Sequence, residues 1–264
     1  LKDFFGLDYL FPKKQDSSAP SLNIQSDAIS MMSAGVLYSK LYTHILKEYF
    51  GVKPKAAMGY SMGECSSMWY AFGIWNPGEG TKVFRNSPIF KNKFSGDLEL
   101  LSEEWYISTK EAKARWQSWI LLESKENVES HIAKFDKVSI TFVNSKKELI
   151  ISGDKSQCKA LITALNCASV LVPFQNIIHN EFCKKEYNGL IEMHNFPLES
   201  QLAIDFYSSL TGEIIPMDSL TIAENSTKVC YKTVDFPAFA KKMSTNGFST
   251  FVELGPNSTC TNWI

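Results

Sequence analysis

Ala56-Ala57-Met58-Gly59-Tyr60-Ser61-Met62-Gly63-Glu64 is the stretch on which the fold turns. Its first three residues read as a short buried strand, and an apolar helix is predicted from Glu64 to about Phe72. Between them lies Gly-x-Ser-x-Gly. The glycines suit a strained turn that neighbouring backbone approaches closely. Strand, tight turn and helix in that order lift a serine hydroxyl clear of a sheet, with helix N–H groups behind it. Five loosely specified residues recur by chance, so a glycine-rich turn with an incidental serine is the bland alternative. Ser61 needs a base and a surrounding fold before it reads as a nucleophile.

On the N-terminal side, residues 12–25 carry Pro12, Pro20 and several serines and read as a loop. A helix is predicted from Ser26-Asp27, with Ile29, Met32, Val36, Leu37, Leu41, Ile45 and Phe50 at helical spacing and a stop at Gly51 and Pro54. Residues 76–115 begin with Pro77, Gly78 and Gly80 and continue as a charged helical stretch without clear limits. Strands are then predicted at Trp119-Leu122, Val138-Val143, Glu148-Ser152 and Ser169-Val172, with helices at 125–134 and 154–165. That β-α-β-β-α-β order is the signature of a ferredoxin-like unit. Beyond residue 185 come a helix, a strand at Ile204-Ser208, the turn Thr211-Gly212-Glu213, a helix at 236–246 and a last strand, Thr250-Leu254. The expected class is α/β: an α/β-hydrolase-like core with a parallel sheet and a nucleophile elbow. Residues 1–115 and 174–264 form that core, and 116–173 the ferredoxin-like subdomain.

Composition narrows the function. A hydrophobic content of 44% with 21% charged residues is that of an ordinary folded protein. A net charge of -1 gives no electrostatic case for nucleic acid or an anionic membrane. No stretch approaches the roughly 18–20 apolar residues of a spanning helix, and Lys2, Asp3 and Asp8 interrupt the Phe-rich start, unlike a signal peptide. The six cysteines (65, 158, 167, 183, 230 and 260) form no C-x-x-C pair and no Cys/His cluster. Reduced thiols in a cytoplasmic protein are expected, with no metal. A chain without an initiator Met that stops at Thr261-Asn262-Trp263-Ile264 reads as a segment of something larger.

A serine needs a base at neutral pH. Four histidines are available. His44 falls within the first amphipathic helix and His131 on a helix of the small subdomain, both structural settings. His179 follows strand 169–172 through a polar, proline-containing loop, where catalytic side chains are commonly placed. His194 is its rival on the same grounds.

These residues resemble a known family. Gly59-Tyr60-Ser61-Met62-Gly63-Glu64 looks like the G-H-S-x-G-E motif of malonyl/acyl-CoA:acyl-carrier-protein transacylases and the acyltransferase domains of polyketide and fatty-acid synthases. Glu64 separates this motif from the general esterase elbow. Gln25-Ser26-Asp27-Ala28 resembles the family's Gln-x-x-Ala helix start; Val143-Asn144 and Ile150-Ile151-Ser152-Gly153 resemble strands of its small subdomain. Tyr207 to Glu213 resembles its S-x-x-T-G element, and Phe251-Val252-Glu253-Leu254-Gly255-Pro256 its F-V-E-x-G-P ending. Together these matches span residues 25–264.

The resemblance implies that His179 activates Ser61 without a carboxylate. Backbone carbonyls near the Gly-Pro turn, here around Asn257 or Ser258, would orient the ring. The Met62 N–H would serve the oxyanion, together with a Gln-associated N–H from a G-Q-G segment that this chain lacks. A malonyl-binding Arg follows the elbow in the family; Arg85 is the candidate, one residue short of an ungapped match. Tyr60, where the family commonly has His, would line the acyl pocket or pack beside the elbow. The Ile177-Ile178 pair before His179 is unlike the usual extender-unit signatures. Arg85 to Phe90, Phe94-Ser95-Gly96 and Cys260-Thr261-x-Trp263-Ile264 look instead like the acyltransferase of polyunsaturated fatty-acid synthases and related glycolipid synthases.

The implied activity moves an acyl group, malonyl or another short extender, from CoA to Ser61 and on to the phosphopantetheine of an acyl carrier protein. CoA is then a substrate, no cofactor is bound, and other synthase domains or subunits are partners. Two alternatives stand beside it. One is an esterase or thioesterase, for which Asp154 is the tempting third triad member, although helix N-capping explains that residue better. The other is a silent acyltransferase-like domain, which the absent G-Q-G segment favours and the retained Ser61 and His179 oppose.

Overall fold

The computed structural model of the chain describes residues 28–173 and 175–264. The Gln25-Ser26-Asp27 helix start and the 12–25 loop lie outside the described residues. Helix α1, Ala28–Glu48, brings its middle against the nucleophile turn. Val36 is buried there, and a Cβ on Gly35 would collide with the Met62 side chain, so the helix and the turn meet at Gly35. The apolar periodicity of α1 runs past this contact, and Leu41 and Phe50 are exposed.

Strand β1, Ala56–Met58, pairs in parallel with β6, Asp205–Tyr207. This sheet is two strands wide among the described residues. The chain then enters a π-helical turn, Gly63–Ser67, before the short α2, Met68–Ala71; the predicted helix is therefore not α-helical from its start. Such wide turns recur at functional sites. Trp69, Ile74, Trp75 and Phe206 pack behind the turn as one fully buried core.

The stretch without clear limits resolves into α3 (Pro77–Asn86), α4 (Glu99–Trp105) and α5 (Thr109–Arg115), the last started by a Ser108–Glu111 capping box. Next come β2 (Trp116–Leu121), α6 (Lys125–Ile132), β3 (Val138–Ser145), β4 (Glu148–Asp154), α7 (Lys155–Leu165) and β5 (Ser169–Leu171). Their sheet runs β5-β2-β4-β3, with antiparallel neighbours throughout. Leu121, Leu149, Ile151, Val128 and Leu161 fill the space between sheet and helices. The opposite face is polar: the Ser118 and Ser152 hydroxyls lie 2.8 Å apart, and Thr141 reaches Ser152 at 3.2 Å.

After the 3₁₀ turn Glu181–Glu186 come α8 (Tyr187–His194), β6, α9 (Ser219–Tyr231), β7 (Val234–Asp235) and α10 (Phe236–Thr245). The two-residue β7 adds to β3 in parallel, so the C-terminal part of the chain extends the small sheet to five strands. The strand expected at Thr250-Leu254 does not form. Its residues run as an irregular segment with Phe251 and Val252 exposed, and the Glu253 carboxylate accepts from the N–H groups of Cys260 (3.0 Å) and Thr261 (2.8 Å). Phe251, Val252 and Leu254 have no neighbouring strand to pair with among the described residues.

Candidate active site

Ser61 sits at φ 53°, in the left-handed region that a residue with a Cβ avoids. Five non-glycine residues share that region among those described. Leu98, Tyr106 and Asn166 flank helix ends; the other two are Ser61 and His179, at φ 60°. Strain of this kind persists only where the surroundings over-determine it. At Ser61 they do: Gly63 N–H bonds to the Tyr60 carbonyl (2.8 Å), and the Glu64 and Cys65 N–H groups both reach the Ser61 carbonyl (3.0 Å each). A Cβ on Gly59 would strike the backbone of Gly63 and Glu64, so that glycine is sterically required. Gly63 differs from expectation, since a Cβ there meets nothing within 4 Å.

The turn points the Ser61 hydroxyl at His179, with Oγ 2.8 Å from Nε2. The ring's other nitrogen, Nδ1, lies 2.9 Å from the Lys232 carbonyl oxygen. A carbonyl can only accept, so Nδ1 carries the proton and Nε2 turns its lone pair toward the serine. This corrects the expected orienting groups: the carbonyl that holds the ring belongs to Lys232, just past the end of α9, not to Asn257 or Ser258. The His179 backbone is fixed by the same segment, its N–H donating to the Cys230 carbonyl at 2.7 Å. Asn180 ties the loop to the small sheet, accepting from the Ser139 hydroxyl while donating to the Ile177 and Ile178 carbonyls. Phe142 lies over the imidazole, ring centres 4.2 Å apart.

His179 is 2% exposed. Burial pushes its pKa down to about 4, against the opposing pull of the Lys232 and Val229 carbonyls. The ring is therefore neutral at pH 7, the state a base requires. His194, the rival, is wholly buried between Trp75 and Phe84; its Nδ1 bonds to the Leu190 carbonyl at 2.7 Å within its own helix. It makes no contact with Ser61. Asp154 caps α7 through the Ser156 and Gln157 N–H groups and pairs with Arg115, so it does not complete a triad with His179.

The backbone hydrogen bonds around the turn leave the Met62 N–H unused, as the first turn of a helix does. Tyr60 packs its ring among Phe142, Phe236 and Trp263 and donates its hydroxyl to Asn144 at 2.7 Å. Asn144 passes on to Glu148, which also receives the Trp263 indole N–H. Tyr60 thus fastens the elbow to the β3–β4 hairpin and to the C-terminal segment. Arg85 lies on α3, and its side chain is outside the described residues. A separate cavity of about 670 Å³ lies behind the His179 loop, lined by Ser139, Ser152 and Asn180 and not by Ser61. No cluster able to hold a metal occurs among the described residues, and no helix there is long and apolar enough to cross a membrane.

Sequence reasoning missed Lys232, because a backbone carbonyl leaves no residue signature. It also missed the partners of Glu64. That carboxylate is fully buried and accepts from Ser209 and Asn225.

No family model matches the chain. It is 26% identical over 263 residues to a subunit of the polyunsaturated fatty acid synthase of Thraustochytrium sp., covering 92% of this chain and 13% of that protein. It is 23% identical over 219 residues to the polyketide synthase GfsE of Streptomyces halstedii, covering 80% of this chain and 5% of that one. The chain thus spans a small fraction of the curated relatives it matches. A malonyl-transacylase solved with its type II polyketide acyl-carrier protein superimposes with a TM-score of 0.77 at 14% identity, over 99% of this chain and 80% of that one. FabD from Acinetobacter baumannii gives 0.75 at 16% identity, over 99% and 79%. The chain has the fold of the malonyl-CoA:acyl-carrier-protein transacylases and is similar along most of its length to part of a polyunsaturated fatty acid synthase.

Proposed function

We propose that this chain transfers an acyl group from CoA to Ser61 and then to the phosphopantetheine thiol of an acyl carrier protein. The observation that carries this reading is the 2.8 Å contact between Ser61 Oγ and a neutral His179 whose ring is held by a carbonyl, not a carboxylate. His179 Nε2 takes the hydroxyl proton as Oγ attacks the thioester carbon. The oxyanion forms beside the Met62 N–H and the start of the π-helical turn, then collapses. The C–S bond breaks, and CoA leaves with the proton from His179. The carrier thiol gives its proton to His179, attacks the acyl-serine ester, and Ser61 recovers the proton. Thioester and oxyester exchange without redox change, so the reading asks for no bound cofactor.

We read residues 116–173 as a ferredoxin-like subdomain, supported by the β5-β2-β4-β3 order, on an α/β-hydrolase-like core of 1–115 and 174–264. Carrier protein and other synthase domains are the partners this reading requires. The names of the relatives support that setting, and six free cysteines fit a reducing cytoplasm. Hydrolysis is the second reading, because water can replace the carrier thiol. The engagement of Asp154 as a helix cap counts against a hydrolase triad. Malonyl is the acyl group proposed, with Arg85 pairing to its free carboxylate.

The test is stoichiometric labelling with malonyl-CoA. The protein forms a labelled ester that Ser61→Ala cannot form, and the label passes to carrier protein faster than to water. A Ser61→Ala protein that still carries the label would sink the proposal. Arg85→Ala should lose malonyl loading selectively over acetyl; equal losses would remove Arg85 from the site.

A further inference from the structure

Glu64 is a buried titratable group for which the acyl-transfer steps have no use. It is 0% exposed and has no cation beside it among the described residues. Burial alone pushes its pKa up, against the pull of hydrogen bonds from Ser209 and Asn225. A buried carboxylate is costly unless every lone pair is engaged. Here Oε2 accepts from the Ser209 N–H at 2.7 Å and from the Ser209 hydroxyl, and Oε1 accepts from Asn225 Nδ2 at 2.5 Å.

Those partners belong to different elements. Ser209 follows β6, the strand paired with β1, which leads into the elbow. Asn225 lies on α9, and the end of α9 supplies the carbonyls that hold His179: Cys230 to its N–H and Lys232 to Nδ1. The next residue of the elbow, Cys65, also faces α9, its thiol 3.4 Å from the Ser226 carbonyl and 3.9 Å from the Cys230 sulfur. The Glu64 carboxylate touches neither Ser61 Oγ nor the imidazole, so its effect on the base passes through α9 and its effect on the serine through the elbow backbone, where the Glu64 N–H bonds to the Ser61 carbonyl.

Resting on the acyl-transfer reading above, we propose that Glu64 is a positioning residue, its carboxylate keying α9 to the nucleophile turn and so setting the Ser61–His179 separation. The sequence motif then has a physical reason for placing Glu three residues after the serine: about one helical turn on, its carboxylate faces α9, the element whose C-terminal end holds the base.

The experiment uses the full chain, with three readouts per variant: thermal melting, the rate of Ser61 acylation by malonyl-CoA per folded molecule, and the ¹⁵N-histidine spectrum of the His179 Nδ1–H. Glu64→Ala is expected to slow acylation by about 100-fold, as a misplacement of 1 Å can, and to shift the Nδ1–H resonance. Glu64→Gln keeps the oxygen for both Ser209 donors, and an Asn225 amide flip accepts its new NH₂. It should restore the rate to within about threefold of the parent, the cost of one neutral hydrogen bond. Should Glu64→Ala fail to fold, Asn225→Ala, which leaves the Ser209 bonds intact, is expected to slow acylation about tenfold. A lower melting temperature with an unchanged rate and an unchanged resonance in the folded variants would make Glu64 a core stabiliser and overturn the proposal. A parent protein that does not acylate refutes the acyl-transfer reading instead, and the resonance still reports whether Glu64 positions the ring.

Discussion

Ser61 and His179 lie 2.8 Å apart, yet the chain places them by different means. The serine is held by its neighbours in sequence: a glycine two before it, and the N–H groups three and four after it on its own carbonyl. The histidine is held from about 50 residues away, by backbone carbonyls at Cys230 and Lys232. One side of the site is therefore written as a local motif. The other depends on how α9 packs, and that packing is a property of the whole core. Both residues adopt the same left-handed backbone.

The sharpest way to break the nucleophile side is Gly59→Ala. Its methyl group would overlap the backbone of Gly63 and Glu64, which cannot step aside as a flexible side chain can. The expected cost is about 3 kcal/mol of stability, the upper end for overpacking. Ser61 acylation should fall by about 100-fold in the protein that still folds. Gly63→Ala is the control within the same motif: open space surrounds its Cβ, and its melting temperature should stay close to the parent's. If both variants lose the same stability, the close approach at Gly59 is not what holds the turn.

The base side is tested by pH. Burial lowers His179 to about 4, from an ordinary value near 6.5. In the proposed mechanism acylation requires the neutral ring, so the rate should fall on acidification with a midpoint near 4 and be flat through neutrality. The stability change has a matching sign. His179 and His194 both have depressed values in the folded chain, about 4 each, so the unfolded chain binds more protons between 6.5 and 4. Their contribution is complete above 6.5 and is lost as pH falls through that window. An acylation midpoint at 6.5 or above would place the ring in a wetter or more acidic setting than the buried one described.

How much of this could be read from the sequence follows the same division. The elbow was legible because strand, glycine, serine and helix are adjacent. The β-α-β-β-α-β segment was legible because apolar residues alternate wherever a face is buried, as Leu149 and Ile151 are. His179 could be nominated from its loop, but the orienting carbonyls expected at Asn257 or Ser258 proved to be that of Lys232. Residues 76–115 resisted because Pro77, Gly78 and Gly80 open a helix there instead of ending one: Asn76 caps it, and a Cβ at Gly80 would overlap Tyr70. Thr250-Leu254 misled in the opposite direction, an apolar run with no strand beside it among the described residues.

The smallest expected effect is the most specific test of the comparison. The Lys232 side chain is half exposed and pairs with Glu181 at 2.9 Å, while its carbonyl faces His179. If the base is held by backbone alone, Lys232→Ala removes a surface ion pair and nothing that the imidazole feels. Such pairs contribute about 0–1 kcal/mol, so acylation should stay within about twofold of the parent at every pH, with the acid midpoint unmoved. A shift of that midpoint would show that the lysine charge, and not only its carbonyl, acts on the ring. The contrast between a nucleophile held by its local motif and a base held by distant backbone would then have to include an electrostatic arm.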